Sequence, residues 1–123
     1  MRELAKIFAA LADPTRLRLF HLMKADEVCV CFLQGVLQTN QPKISRHLAY
    51  LKKAGLVEAR RDGKWMHYRL KPQERELQVI LNRTLECLDD QAVTQGDARR
   101  LKQICCAPGK FGFSSPEGGR NCK

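Results

Sequence analysis

The sequence predicts one mainly α-helical domain with a single β-hairpin, and three observations lead to this fold class. The chain has 123 residues, which is close to a typical single domain and long enough to bury a hydrophobic core. Apolar residues recur at helical spacing through most of the first 55 residues and again after residue 72. Between these regions, Asp62-Gly63 separates two β-prone runs, which is a strong hairpin signal.

Two short helices are predicted at the N-terminus. The first covers residues 3–11, has apolar residues on one face and ends at Asp13-Pro14. Asp13 is suited to cap the second helix, Pro14 falls in its first turn, and the helix runs up to Lys24. Its apolar positions are Leu17, Leu19, Phe20, Leu22 and Met23. Since these positions make up so much of its surface, we expect the second helix to be largely buried.

A third and a fourth helix follow. The third is a short helix from Cys29 to Gln38 whose start is ambiguous. Asn40 is a good N-cap for the fourth helix, and Gly55 is well placed to end it. The fourth helix has core-facing positions at Ile44, Leu48 and Leu51, and a polar, basic face made by Lys43, Ser45, Arg46, His47 and Tyr50.

The hairpin and a fifth helix come next. Its strands cover residues 56–60 and 65–70, on either side of the Asp-Gly turn. Pro72 then opens a fifth helix that reaches about Asp89. The apolar stripe of this helix, which would suit burial in a partner chain, consists of Leu77, Ile80, Leu81, Leu85 and Leu88. The predicted main domain spans residues 1–91.

A C-terminal extension and a tail complete the chain. Residues 92–106 carry a weaker helical pattern up to residue 104 and then the vicinal pair Cys105-Cys106. Residues 107–123 are rich in Gly, Pro and Ser, and we expect this tail to be disordered.

Composition excludes two classes of protein and leaves two facts to explain. No stretch approaches the roughly 20 apolar residues that span a bilayer, and the first residues lack the apolar core of a secretion signal. We therefore expect a cytoplasmic protein outside the membrane. The chain carries a net charge of +9 and 6 cysteines. In a reducing cytoplasm, cysteines more often indicate metal or redox chemistry than a disulfide framework.

Most of the positive charge falls between Gln38 and Lys71, where nine Lys and Arg residues outweigh two acidic ones. The order of elements there is helix, short turn, helix and hairpin, as in a winged helix-turn-helix module, whose second helix enters the DNA major groove. On that helix, the residues predicted to reach base edges are Gln41, Lys43, Ser45, Arg46 and His47; at the hairpin tip, Arg61 and Lys64 are predicted to reach phosphate or the minor groove.

Four motifs carry a family resemblance. They are Cys29-Val30-Cys31, the string QPKISRHL at residues 41–48, Ala54-Gly55-Leu56-Val57, and GKWMHYRL at residues 63–70. Together they resemble the arsenic-responsive repressors of the ArsR/SmtB winged-helix family over about residues 4–90. The resemblance implies a homodimer joined through its first and fifth helices, bound to a palindromic operator. It also implies that trivalent arsenic or antimony binds cysteine thiolates and releases the DNA, and we expect no organic cofactor.

The first candidate thiol site lies at the start of the third helix. The family's arsenite repressors carry C-x-C-x-x-C there; Cys29 and Cys31 match, but Gln34 occupies the third position. Soft trivalent arsenic prefers thiolates, and arsenite has three positions for sulfur whereas a methylated arsenical has two. On a regular helix the two thiols point about 200° apart. We therefore expect chelation to unwind the helix start and thereby misplace the recognition helix.

The second candidate site combines Cys87 with Cys105 and Cys106. Cys87 lies near the end of the fifth helix, and a turn back of the extension would bring the vicinal pair to it. Some similar family members sense arsenicals, including methylated ones, through cysteines in these places. Because Gln34 leaves the first site one ligand short, we favour this set slightly. Cys122, in the tail, is the weakest candidate.

Four other readings remain. A zinc or cadmium sensor of the same fold uses histidine and carboxylate ligands on the fifth helix, whereas His21, His47 and His67 lie elsewhere. A thiol-redox or persulfide regulator, switched by a disulfide, is also compatible with the cysteines. A non-specific DNA-coating protein accounts for the charge but not for the cysteines. An enzyme is disfavoured, because the sequence lacks C-x-x-C and a glycine-rich phosphate loop.

Overall fold

The computed structural model describes residues 1–106, apart from the side chains of Cys105 and Cys106. Within these residues the elements are α1 Arg2–Leu11, α2 Pro14–Leu22, β1 Val28–Cys29, α3 Val30–Leu37, α4 Gln41–Lys53, β2 Val57–Asp62, β3 Trp65–Leu70, α5 Arg75–Asp89 and α6 Ala92–Cys106. The predicted fold class, mainly helical with a hairpin, is confirmed. The tail predicted at residues 107–123, with Cys122, lies outside the described residues.

Two side-chain caps set the starts of α2 and α4 where the sequence predicts them. Asp13 accepts a hydrogen bond from the Arg16 backbone N–H at 3.0 Å, and Asn40 accepts one from the Lys43 N–H at 3.0 Å. Each cap satisfies a backbone donor that the helix itself leaves unpaired, which typically stabilises the helix by about 1 kcal/mol. Gly55 follows α4 in a left-handed conformation, at φ +86°, which favours glycine.

A two-residue strand, β1, precedes α3 and was not predicted. Val28 pairs with Tyr68 and Cys29 pairs with His67, so the sheet order is β1-β3-β2. Because the backbone of Cys29 is extended (φ −69°, ψ 142°), α3 begins at Val30, and the predicted helix start at Cys29 is wrong by one residue. Strand pairing with a partner about 40 residues away leaves no local signal in so short a run.

Other helix boundaries also differ from the predictions. α5 begins at Arg75 and not at Pro72, because the side chain of Gln73 donates to the carbonyls of Gly55 at 2.7 Å and Lys71 at 3.0 Å and holds the connection in a turn. α2 ends at Leu22, two residues before the predicted end.

The extension forms a full helix that docks on the domain. α6 packs against α2 and α3, Ile104 belongs to the main hydrophobic core, and the buried Asp97 accepts two bonds from Arg18 at 2.9 and 2.8 Å. The Arg100 guanidinium donates to the Val36 carbonyl of α3 at 2.9 Å. The structure therefore has a longer helix here than the weak sequence pattern predicts, because tertiary contacts stabilise it.

The hydrophobic core lies between the helices and one face of the sheet. On α4, Ile44, Leu48 and Leu51 are fully buried, as predicted. On α5, only Leu81 is fully buried, while Val79 and Ile80 remain 54% and 42% exposed. Within residues 1–106, the helices are too short or too polar to cross a membrane.

Candidate DNA interface and thiol site

The recognition helix α4 presents its predicted polar face to solvent. Its buried residues anchor one side in the core, and on the opposite side Gln41, Lys43, Ser45 and Arg46 are exposed while His47 is half-buried. α3 and α4 are joined by a three-residue turn in which Gln38 adopts a left-handed conformation with φ 53°. This is the helix-turn-helix geometry in which the first turns of the second helix reach base edges.

The hairpin β2–β3 forms a wing beside α4. Gly63, at φ +62°, lies in its turn, and Arg61 and Lys64 are exposed at its tip. The Lys64 ammonium lies 5.4 Å from the centre of the Trp65 ring. Farther from the tip, Arg69 is paired with Glu58 at 2.6 Å. The cations at the tip are therefore placed for a phosphate backbone, whereas Arg69 is partly neutralised within the wing.

Arg16 of α2, which the sequence analysis did not single out, supports the DNA-facing surface. Its guanidinium donates to the Ala10 carbonyl at 2.6 Å, lies 3.4 Å from His47 Nδ1, and stacks 4.1 Å above the Tyr50 ring. It thus links the end of α1 to two side chains of α4. An open groove of about 540 Å³ lies there, lined by Thr15, Arg16, Arg18, Leu37, Thr39, Lys43, Arg46, His47 and Tyr50. No sequence motif marks this role, because it depends on three helices meeting.

The thiols of Cys29 and Cys31 converge at the junction of β1 and α3. Their Sγ atoms are 3.1 Å apart; Cys29 is buried and Cys31 is half-buried. The expectation that chelation requires unwinding of the helix start is wrong. Because Cys29 is extended and Cys31 belongs to the first turn of α3, the two side chains lie on the same side without any rearrangement.

Proximity controls the acidity of this pair. The hydrogen bond with Cys29 raises the pKa of Cys31 well above its usual range, and burial and the neighbouring Cys29 charge raise it further. Once one of the two thiols has lost its proton, the remaining hydrogen bond and the negative charge make removal of the second proton costly. A soft cation or arsenical that binds both sulfurs relieves this repulsion, because it replaces the protons with bonds.

The C-terminal cysteines are placed differently. Cys87 is exposed near the end of α5, and α6 continues without a break from Ala92 to Cys106. At 1.5 Å per residue, the helix carries the backbone of Cys105 roughly 20 Å from the start of α6. Thr94, in the first turn of α6, bonds the Leu88 carbonyl next to Cys87, so Cys87 lies at the opposite end of α6 from the vicinal pair. The extension makes no turn back between Ala92 and Cys106, and the set of Cys87, Cys105 and Cys106 stays a prediction.

The histidines lie apart from one another. His21 is buried on α2 with its Nε2 2.7 Å from Asp89, and His67 is buried on β3. Among the described residues, no group of three or more His, Cys, Asp or Glu side chains is arranged to hold a metal ion.

These features together define a winged helix-turn-helix DNA-binding protein. This class requires a recognition helix preceded by supporting helices and followed by a basic wing. The elements of this chain follow the same order.

Comparisons with known proteins give the family. Residues 13–59 match the family described as bacterial regulatory protein, arsR family. An arsenic resistance transcriptional regulator of Pseudomonas putida is 39% identical over 109 residues, covering 81% of this chain and 95% of that protein. The chain belongs to the arsR family, whose regulators bind DNA and are not enzymes.

Two further comparisons agree. The arsenical resistance operon repressor of Escherichia coli K12 is 52% identical over 68 residues, which cover 54% of this chain and 58% of that protein. The chain thus matches little more than half of that repressor. The homodimeric winged helix-turn-helix DNA-binding domain of Mycobacterium bovis, solved by NMR, superimposes with a TM-score of 0.63 at 27% identity, covering 74% of this chain and 82% of that one.

Proposed function

We propose that this protein is an arsenic-responsive transcriptional repressor that binds operator DNA as a homodimer and releases it when a trivalent arsenical binds Cys29 and Cys31. The observation that carries the proposal is the 3.1 Å separation of the two sulfurs at the start of α3. α3 leads through a three-residue turn into the recognition helix, so a ligand at its first turn acts close to the DNA face.

The chemistry at the pair is an exchange without oxidation. Each thiol loses its proton to a hydroxide on arsenic, one As–S bond forms, and one water leaves, so two thiols release two waters. Arsenite or antimonite bound this way keeps one hydroxide, and methylarsenite keeps its methyl group. Gln34, which stands in the third cysteine position of related repressors, is half-buried and supplies no thiol. The pair therefore suits an arsenical that needs two sulfurs.

Exposed apolar residues support the homodimer. Leu4 and Phe8 on α1 are 41% and 48% exposed, and Val79 and Ile80 on α5 are 54% and 42% exposed. Such residues on two helices suit a shared, self-complementary surface, which a two-fold dimer provides. The domain of Mycobacterium bovis, which has this fold and is homodimeric, supports the same assembly here. Two recognition helices then meet two half-sites of a palindrome.

A release assay tests the proposal. The full chain is bound to DNA that it has selected from a random library, and sodium arsenite or phenylarsine oxide is added to the wild type and to single Cys→Ser variants. We expect Cys29→Ser and Cys31→Ser to abolish release and Cys87→Ser, the matched control on α5, to release as the wild type does. If Cys105→Ser or Cys106→Ser abolishes release while Cys29→Ser does not, the site assignment is wrong.

The same sulfur–sulfur distance favours a second candidate, a thiol-redox regulator. Hydrogen peroxide would take two electrons and two protons from the pair, forming a disulfide and two waters. Adding peroxide and then dithiothreitol in the same assay separates the candidates. Reversible release by peroxide, without release by either arsenical, would replace the first proposal with the second.

A further inference from the structure

The segment from Glu27 to Cys31 connects the thiol pair to the wing as well as to the recognition helix. Cys29 lies opposite His67 in the β1–β3 ladder, and β3 is one strand of the wing. Val28 is paired with Tyr68 beside it. A ligand that moves the backbone of Cys29 therefore acts directly on β3, independently of α3.

A side-chain pair fastens the same segment to the other strand of the wing. Arg60 on β2 donates from Nε to Glu27 Oε2 at 3.0 Å and from Nη2 to Glu27 Oε1 at 2.6 Å. The Glu27 side chain is only 13% exposed. A two-point, partly shielded pair holds its geometry better than a single exposed contact. Glu27 and Cys29 thus hold both wing strands from one short segment.

The geometry of this attachment reaches the wing tip. Arg60 precedes the exposed Arg61 on β2, which lies across from Met66 of β3, and Lys64 lies in the turn between the strands. A shift of both strands moves these two cations together relative to α4. Since phosphate contacts set the register of a protein on the duplex, such a shift weakens binding even while α4 keeps its fold.

We propose that Glu27 and Arg60 are positioning residues that transmit ligand binding at Cys29 and Cys31 to the wing, so that part of the operator release depends on their ion pair. This inference rests on the proposed function, because it requires that an arsenical at the thiol pair releases DNA. It adds a route through the sheet to the route through α3 and α4.

The wing contains a matched control. Glu58 pairs with Arg69 at 2.6 Å, but Glu58 lies on β2 itself, so this pair closes within the hairpin and does not reach β1. Glu27→Gln and Glu58→Gln each remove one negative charge and weaken one ion pair of the wing. Only the first substitution weakens a side-chain contact between the thiol segment and the wing, and the pairing of β1 with β3 remains.

The test measures coupling and ligand binding separately. Operator dissociation constants of the full chain are determined with and without phenylarsine oxide, and their ratio is the release factor. Protection of Cys29 and Cys31 from iodoacetamide, relative to ligand-free protein labelled for long enough to alkylate both thiols, is followed by mass spectrometry and reports ligand binding. The wild-type arm tests the proposed function: a release factor of one there, with both thiols protected, removes the proposed function itself. Thermal melting confirms that each variant is folded.

Allosteric release factors typically span about 5-fold to 150-fold. We expect Glu27→Gln to lower the release factor at least about threefold with thiol protection unchanged, Arg60→Lys to lower it less, and Glu58→Gln to stay within about twofold of the wild type. An unchanged release factor in both Glu27→Gln and Arg60→Lys overturns the inference. Loss of thiol protection in Glu27→Gln also overturns it, as does an equal effect of Glu58→Gln.

Discussion

The recognition helix and the thiol junction are neighbours in the chain but are held in different ways. α4 has a side-chain cap at its start, a left-handed glycine after its end and three fully buried aliphatic residues between them. The junction of β1 and α3 has two residues of strand pairing and the ion pair between Glu27 and Arg60. Both regions reach the hydrophobic core, since Val28, Cys29 and Phe32 at the junction are also buried. The difference is that α4 is fixed by contacts along its own length, whereas the junction is also fixed to the wing by strand pairing and by an ion pair.

The first prediction tests how strongly the buried residues of α4 hold this helix in the core. Leu48 is fully buried in the centre of the helix. Leu48→Ala leaves a cavity, and we expect the free energy of unfolding, measured by urea denaturation, to fall by about 2–5 kcal/mol. Lys52→Ala, exposed on the same helix, should stay within about 0.5 kcal/mol of the wild type. A small loss for Leu48→Ala would mean that α4 is not firmly anchored.

The second prediction separates reading from anchoring. Arg46 is exposed on the outward face of α4, and Arg46→Ala removes a side chain that suits a bidentate contact with guanine. We expect operator affinity to fall roughly 5-fold to 150-fold, which corresponds to about 1–3 kcal/mol. Binding is measured by fluorescence anisotropy with unchanged circular dichroism. Lys102→Ala, an equal charge loss on α6, serves as the control, and an equal drop there would contradict the assignment.

The same difference explains what could be predicted from the sequence. The caps at Asp13 and Asn40, the helical spacing on α4 and the Asp-Gly turn act within a few residues, so local pattern identifies them. β1, the docking of α6 and the contacts of Arg16 depend on partners far along the chain. For the thiol pair, α3 starts one residue later than predicted, and this later start brings together two sulfurs that the sequence places about 200° apart. Residue types thus identified the candidate site, but only the fold brought its two sulfurs together.

The third prediction concerns the acidity of the junction. Its neighbour and its burial raise the pKa of the Cys31 thiol, so at pH 8 less of it is thiolate than of an ordinary cysteine. In the ligand-free protein we expect iodoacetamide to alkylate Cys31 at least about tenfold more slowly than the exposed Cys87. Since the thiolate forms only as the pH rises through the raised pKa, the rate at Cys31 should keep increasing at higher pH than the rate of an ordinary cysteine.

A variant checks the cause of that shift. Cys29→Ala removes the hydrogen bond and the charge through which the neighbouring thiol raises the pKa of Cys31, and it leaves burial as the remaining cause. Alkylation of Cys31 should then become faster. If its rate stays the same, the neighbouring thiol does not control the acidity of Cys31.

The smallest expected effect lies at the wing tip. Arg61 is exposed there, and we expect Arg61→Ala to lower operator affinity less than Arg46→Ala does and to lower the slope of log affinity against log salt by about one. Such a loss is equal for operator and random DNA, because a phosphate contact carries no sequence information. Arg46→Ala should instead reduce the preference for operator over random DNA. If Arg61→Ala also reduced that preference, the tip would read bases in the minor groove, and sequence reading would not be confined to α4.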